Sequence, residues 1–500
     1  MAPESGGWAA LARTGHKVLV LEQHSLAGGL TQTFSREGFT WNVGMHYLGE
    51  MEPGAAVRKV IDWLSDGQIL FSSMGGVYDI LHFPGDFEFR MSRPETSLKR
   101  DLKEKFPASD TEIDAFLAAL ALAQRAGRVV FARRAMPRLV AALYGWWHRG
   151  AVRQWWNRTS AQVLQQLVSD PRLRAVLLAQ RGDYGGVPRE SSFGVHATIM
   201  RHYFNGAYYP VGGAAVFAAS LVPVIERAGG KVMLNARVRE LLMEKGAVAG
   251  LKLDDGTRIP GKRIISDVGA RNTVGLLSSD LQKTPWAREI ESFKPSICHI
   301  GLYLGLEGDI RANGATASNH WFYESWNPDT LCWDDPFAEA RPPGMFVSFP
   351  TLKDPQHVPG ERQRHTAEIV VMTGWDAFRQ WQDSKFGDRP EAYAAFKDLI
   401  ERNLLAEFGR RFPALAPMVR CHVLSTPLST AAFTGSQQGA IYGLETTPRR
   451  FLSESLRVKT PVRGLFLAGQ DVASPGITGA MMGGMLAAAT IEPRIFRQIV

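Results

Sequence analysis

The run His16-Lys17-Val18-Leu19-Val20-Leu21-Glu22 is a short apolar strand ending on a carboxylate, preceded by a small-residue helix and a turn at Gly15. That is the pattern of the second strand of a dinucleotide-binding βαβ unit, whose terminal acid accepts hydrogen bonds from a ribose 2′-hydroxyl. Such a unit also requires an earlier strand and a glycine-rich turn at the helix N-terminus. Only Met1–Ser5 precede the first glycine pair, Gly6-Gly7, so the expectation is that this sequence starts downstream of the natural beginning, or is truncated. Trp8 puts an indole where the backbone should approach a pyrophosphate, and weak dinucleotide binding is expected of the chain as written.

The other end repeats the theme. Gly464–Ala468 reads as a strand, Gly469 to Gly479 as a glycine-rich turn, and Ala480 onward as a small-residue helix. N–H groups at such a helix start can face an anion or an electron-rich ring edge. Gly483-Gly484 would let the backbone approach a flat cofactor. Between the two ends, "AAVFAASLVPVIERAGG" is a helix closed by glycines, followed by a strand and a hairpin, and "YDILHFPGDFEFRM" is two strands around a Pro-Gly-Asp turn. Residues 109–205 are mostly helical, and 286–430 alternate strands with helices. No composition-marked linker separates these segments. The expected class is an α/β composite, with a nucleotide domain assembled from distant pieces.

Five hundred residues exceed one ordinary core. Cys298, Cys332 and Cys421 are scattered without metal-ligand spacing, which fits buried thiols in a reducing compartment. His196 and His202, six apart, do not share a helical face, so no metal site is expected. No Ser/His/Asp or Cys/His set asks for nucleophilic catalysis. No secretory leader is evident, and no apolar stretch reaches the length of a spanning helix. The net charge of +8 is concentrated: Ala115–Ser169 holds no Asp, Glu or Lys but eight Arg, together with Trp146, Trp147, Trp155 and Trp156. Met136, Val140, Leu143 and Trp147 share one helical face, with Arg134 and Arg138 elsewhere. Two readings stand: a monotopic membrane contact over residues 128–158, or a packed helical subdomain with a basic solvated face. The tryptophans do not form the repeated stacking platform that nucleic acid requires.

"VLVLEQHSLAGGLTQTF", "YYPVGGAAVFAASLVPVIERAGGKVMLNARVREL", "STPLSTAAFTGSQQGAIYGLE" and "LFLAGQDVASPGITGA" resemble the phytoene desaturase-like flavoproteins, in collinear order over nearly the whole chain. "NVGMHYLGE", "HYFNGAYYPVGG" and "GQD" are most similar to the all-trans-retinol 13,14-reductase and carotenoid isomerase branch. The resemblance implies a Rossmann-like FAD domain from 1–75, 206–285 and 431–500, and a substrate domain from 76–205 and 286–430. It also implies a hydrophobic polyene or isoprenoid substrate, hydride transfer with flavin N5, and a cytoplasmic, peripheral membrane location. No second dinucleotide unit is visible, so electrons would pass to or from a separate partner. Glu22 would bind the ribose, Gly28 and Gly29 would carry the loop past the cofactor, and Val238 would offer backbone groups to the adenine or simply pack. Gly469 would shape the turn, Asp471 would face the ribityl chain or phosphates, and Ile477, Thr478, Gly479 and Ala480 would lie under the isoalloxazine. His46 and Tyr47 would lie near the flavin, unless His46 is a satisfied core residue. Saturation, desaturation and redox-neutral isomerisation fit the same architecture. A redox-inactive prenyl carrier resembling the Rab GDP dissociation inhibitors is the rival, and an amine oxidase is a third reading.

Overall fold

Two ribbons of three-residue parallel strands carry the nucleotide-type half. In this computed structural model, which describes residues 6–499, β1 (Leu19–Leu21) pairs with β2 (Lys231–Met233), and β3 (Ile264–Ser266) pairs with β4 (Leu465–Leu467). Among the described residues no strand joins the ribbons, and the expected deficit at Met1–Ser5 lies outside those residues. The strand and hairpin expected after the glycine-closed helix Val216–Arg227 are present, as Lys231–Met233 and an antiparallel meander of Val238–Glu244, Ala247–Leu253 and Arg258–Pro260.

Helix α1 (Gly6–Arg13) leads into β1 and packs against the C-terminal helix Gly476–Ile491. A Cβ on Gly7 would stand 2.4 Å from the Gly484 carbonyl oxygen, and one on Gly483 would stand 2.1 Å from that of Gly469. The glycine pair therefore lets the C-terminal helix touch α1 and its own preceding turn. That adds a packing role to the cofactor role expected of Gly483-Gly484. Trp8 is buried in the core of this half.

The other half is built on a seven-stranded sheet, ordered Val419–Ser425, Cys298–Glu307, Arg364–Thr373, Gly344–Ser348, Asn319–Tyr323, Val77–Phe83 and Phe87–Ser92. Period-two alternation decides its faces. Trp321, Tyr323 and Phe346 join the helical cluster on one side, whereas Phe322, Met345 and Val347 join the opposite core. That second core is closed by the helix Glu391–Arg411, whose Tyr393, Phe396, Ile400, Leu404 and Phe408 recur at helical spacing. One parallel contact, Asn319 beside Asp79, interrupts the antiparallel pairing and sets two polar residues side by side inside an apolar sheet.

Helix α2 (Asp110–Ala135) runs through the first core. It is long and apolar enough to cross a membrane, contrary to the sequence expectation, but half of its apolar window is buried inside the protein. The Arg/Trp window divides in two. Trp155 and Trp156 are buried, the latter donating its indole N–H to the Ala123 carbonyl (2.9 Å), and Arg134 is buried, donating to the carbonyls of Arg450, Phe451 and Ser453. Helix α3 (Arg138–Trp147) differs: Leu139 is 83% exposed, Leu143 72% and Trp147 77%, and of its residues only Ala141 is buried. The candidate membrane contact contracts from 128–158 to this one helix.

Candidate functional site

Parallel strands end where their chain must turn, and in α/β sheets the resulting crevice is where ligands bind. Here the residues just beyond β1, β3 and β4 line a crevice of about 380 Å³: Glu22, then Asp267 to Gly269, then Ala468, Gln470 and Asp471. Val238 and Gly29 also line it; Gly28, Gly469 and Ala480 do not. Gly28 (φ 128°) and Gly29 (φ 53°) hold backbone conformations that side chains disfavour, and the Thr31 hydroxyl ties the loop by donating to the Gly28 carbonyl at 2.7 Å. Glu22 is buried and its Oε1 accepts the His24 N–H at 2.8 Å. Burial raises the carboxyl pKa of Asp267, and the neighbouring Glu22 charge acts in the same direction.

Asp471 does more structural than ligand chemistry. Its Oδ2 accepts the Ala270 N–H at 2.8 Å and its Oδ1 the Leu444 N–H at 2.9 Å, with the buried Arg450 guanidinium 3.9 Å away. This carboxylate joins three distant segments beneath the crevice.

The same turn then forms the wall of a second, apolar cavity of about 320 Å³. Ala473 to Gly479 line it, opposite His46, Tyr47, Asp183, Tyr203 and Tyr442. Two hydroxyls at the start of the C-terminal helix, Ser474 Oγ and Thr478 Oγ1, are buried and have no protein partner; nor does Ser436 Oγ in the crevice. Buried hydroxyls normally find a partner, so two orphans on this turn and a third in the crevice fit a polar, ring-bearing ligand that spans the two cavities. His46 and Tyr47 thus stand together with Ile477, Thr478 and Gly479, while Ala480 is buried behind them.

A polar network missed by sequence reasoning stands behind Tyr47. Its hydroxyl lies 2.7 Å from Asp183 Oδ2 and 3.1 Å from Asp79 Oδ2. Asp79 further accepts from Gln180 Nε2 (3.0 Å) and Asn319 Nδ2 (2.9 Å), and Lys353 Nζ donates to Asn319 Oδ1, Ser348 Oγ and the His46 carbonyl. Burial pushes Asp79 up to about 6 against these hydrogen bonds, raises Asp183 further with help from the Asp79 charge, and pushes Lys353 down to about 7. His46 Nδ1 pairs with the buried Glu368 at 2.8 Å, and Glu368 also accepts the Asn42 N–H. The available signal was a charged residue inside an apolar strand, "YDILHF" and "EIVVMTG". No His/Cys/Asp/Glu group among the described residues could hold a metal ion, and His196 and His202 sit in separate environments, the first against Tyr184 and the second against Glu50.

Residues 9–492 match the family described as flavin containing amine oxidoreductase. The chain belongs to that family. It is 30% identical to the all-trans-retinol 13,14-reductase of Danio rerio over 97% of this chain and 83% of that protein. It is 23% identical to the chloroplastic prolycopene isomerase of Daucus carota over 96% of this chain and 77% of that one. Its fold is similar to that of putrescine oxidase bound to putrescine, with a TM-score of 0.66 at 16% identity, covering 99% of this chain and 97% of the other. The expected α/β composite is correct, and the protein is an FAD-dependent oxidoreductase. The crevice, its positive-φ glycines and the orphaned hydroxyls fit that cofactor.

Proposed function

We propose that this enzyme exchanges hydride between FAD and a C=C or CH–CH unit of a hydrophobic polyene or isoprenoid. The observation that carries the reading is the single turn, Ala468–Gly479, that walls both the polar crevice and the apolar cavity. A flavin whose nucleotide end occupies the first presents its reacting edge to the second. The relatives named for retinol reduction and prolycopene isomerisation support the substrate class. FAD supplies a hydride donor or acceptor when bound; the protein's share is to hold it, exclude water and orient the substrate.

In this reading Glu22 accepts from the ribose, and Gly28, Gly29 and the N–H at Val238 frame the nucleotide. Gly469 allows the turn, Asp471 braces it, and Ile477 to Gly479, backed by Ala480, contact the isoalloxazine. The FAD domain draws on 1–75, 206–285 and 431–500 and the substrate domain on 76–205 and 286–430. Phe131, which lines the apolar cavity, lies in the last turns of α2, just before the exposed α3, so a membrane-dissolved substrate would enter beside that helix. Electrons come from, or go to, a partner outside the chain.

The test is anaerobic incubation of the FAD-loaded, chemically reduced protein with all-trans-retinol and, separately, with a cis-carotenoid. A product heavier by two hydrogens supports saturation, and an isomer of unchanged mass supports the redox-neutral variant. If no polyene is altered in either flavin oxidation state, the reading is wrong.

A further inference from the structure

Adding hydrogen across a C=C bond takes a hydride at one carbon and a proton at the other, and the second must come from the protein. We propose that the carboxylic acid of Asp183 is that proton donor, held in place by Tyr47 and Asp79. The inference rests on the function proposed above.

Among the described residues, only two carboxyl groups line the apolar cavity, Asp183 and Glu50. Glu50 is engaged as an acceptor: His202 Nδ1 lies 3.0 Å from its Oε2, while His202 Nε2 accepts the Gly49 N–H at 2.8 Å. Asp183 has no cationic partner among the described residues. Arg181, two residues before it, turns away, its guanidinium lying over the Tyr323 ring and donating to the carbonyls of Leu178 and Thr330. Asp183 receives one contact, from Tyr47, whereas Asp79 receives three donors and has Lys353 nearby through the shared Asn319 amide. Two carboxyl groups bridged by one phenol in a low-dielectric site do not both carry charge in the resting enzyme. The one with more hydrogen-bond donors, Asp79, keeps it, and the one facing the apolar cavity keeps the proton. Tyr47 Oη then donates to Asp79 and accepts from Asp183, which aims the remaining chemistry of Asp183 at the cavity.

The step balances. The π bond of the alkene breaks; one carbon gains the hydride, with both electrons, from the reduced flavin. The other carbon forms a C–H bond with the proton released as the Asp183 O–H bond breaks. Asp183 is left as a carboxylate beside Tyr47, whose hydroxyl now donates to it, and a solvent proton restores the acid before the next turnover. In the oxidative direction the same carboxylate accepts the proton.

Tyr47 and Asp79 are positioning residues, and Asp183 is the group that meets the substrate. The experiment uses FAD-loaded wild type, Asp183→Asn, Asp183→Glu and Tyr47→Phe, with all-trans-retinol as probe. In single-turnover oxidation of the reduced enzyme, Asp183→Asn should be slower by about 10²–10⁴-fold, with retinol binding changed far less and Asp183→Glu partly restoring the rate. Independently of turnover, difference infrared spectra at neutral pH should show a protonated-carboxyl C=O band in the wild type that Asp183→Asn removes. Tyr47→Phe should keep the band but shift it, because the hydrogen bond is lost. An absent band, or Asp183→Asn oxidised at the wild-type rate, overturns the assignment of Asp183 and leaves the proposed function intact. A wild type inert towards every polyene overturns both.

Discussion

Asp471 shows how a ligand-like residue can be committed to the scaffold. Its two oxygens satisfy the N–H groups of Ala270 and Leu444, and its charge is the nearest compensation for a fully buried Arg450. Asp471→Ala strands two buried donors and a guanidinium, so it should cost about 3–5 kcal/mol of folding stability. Urea unfolding of the FAD-free protein reads this directly; an unchanged midpoint would return Asp471 to a purely ligand-binding role. Its carboxylate was legible in the sequence because the "LFLAGQDVASPGITGA" stretch resembles the phytoene desaturase-like flavoproteins. Its partners, 27 and 201 residues away, were not, since hydrogen bonds of that range leave no local periodicity. Asp79 and Asp183 escaped notice for a related reason. Asp79 left one signal, a charge inside an apolar strand, but Asp183 becomes chemically distinctive only once folding places it beside Tyr47 and Asp79.

At the scale of elements, legibility followed the range of the pairing. The hairpin Val77–Phe83 with Phe87–Ser92 was readable from its turn, and the helix-strand-meander succession from glycine punctuation. The partnership of Cys298–Glu307 with Arg364–Thr373 was not, because nothing local specifies which apolar strand lies alongside. Helical amphipathicity misled over residues 128–158: tryptophans at helical spacing look alike whether they face lipid or core, and Trp156 is wedged against Gly127 and Gly194. Helix α3 alone retains the exposed apolar surface. Replacing Leu139, Leu143 and Trp147 together with serine should abolish most co-sedimentation with anionic liposomes while leaving the unfolding midpoint near that of the wild type, because those side chains make few internal contacts. Retained sedimentation would mean that another surface, or charge alone, binds the bilayer.

Across the whole molecule, burial leaves a pH signature. The imidazoles of His196 and His299 are both pushed down to about 4 by desolvation. Between that value and the ordinary histidine pKa of about 6.5, the unfolded chain takes up a proton that the folded one refuses, so each contributes stability that is lost as pH falls through the window. Asp79, raised to about 6, works the other way, since its folded form holds the proton more tightly. The clean measurement is therefore a difference: His299→Gln should lose less stability than the wild type between pH 7 and pH 5, by roughly 1–2 kcal/mol. Parallel losses would mean that His299 titrates normally in the fold. The scattering of the crevice along the chain has a consequence in time. Glu22 is made hundreds of residues before the turn that completes the wall, Ala468–Gly479, and before the helix that clasps α1 through Gly7 and Gly484. At about 5–20 residues per second, the ribosome leaves β1 waiting on the order of half a minute for the far end to emerge. Flavin capture therefore waits until that far segment has emerged, and the segments made before it must be kept from aggregating in the interval.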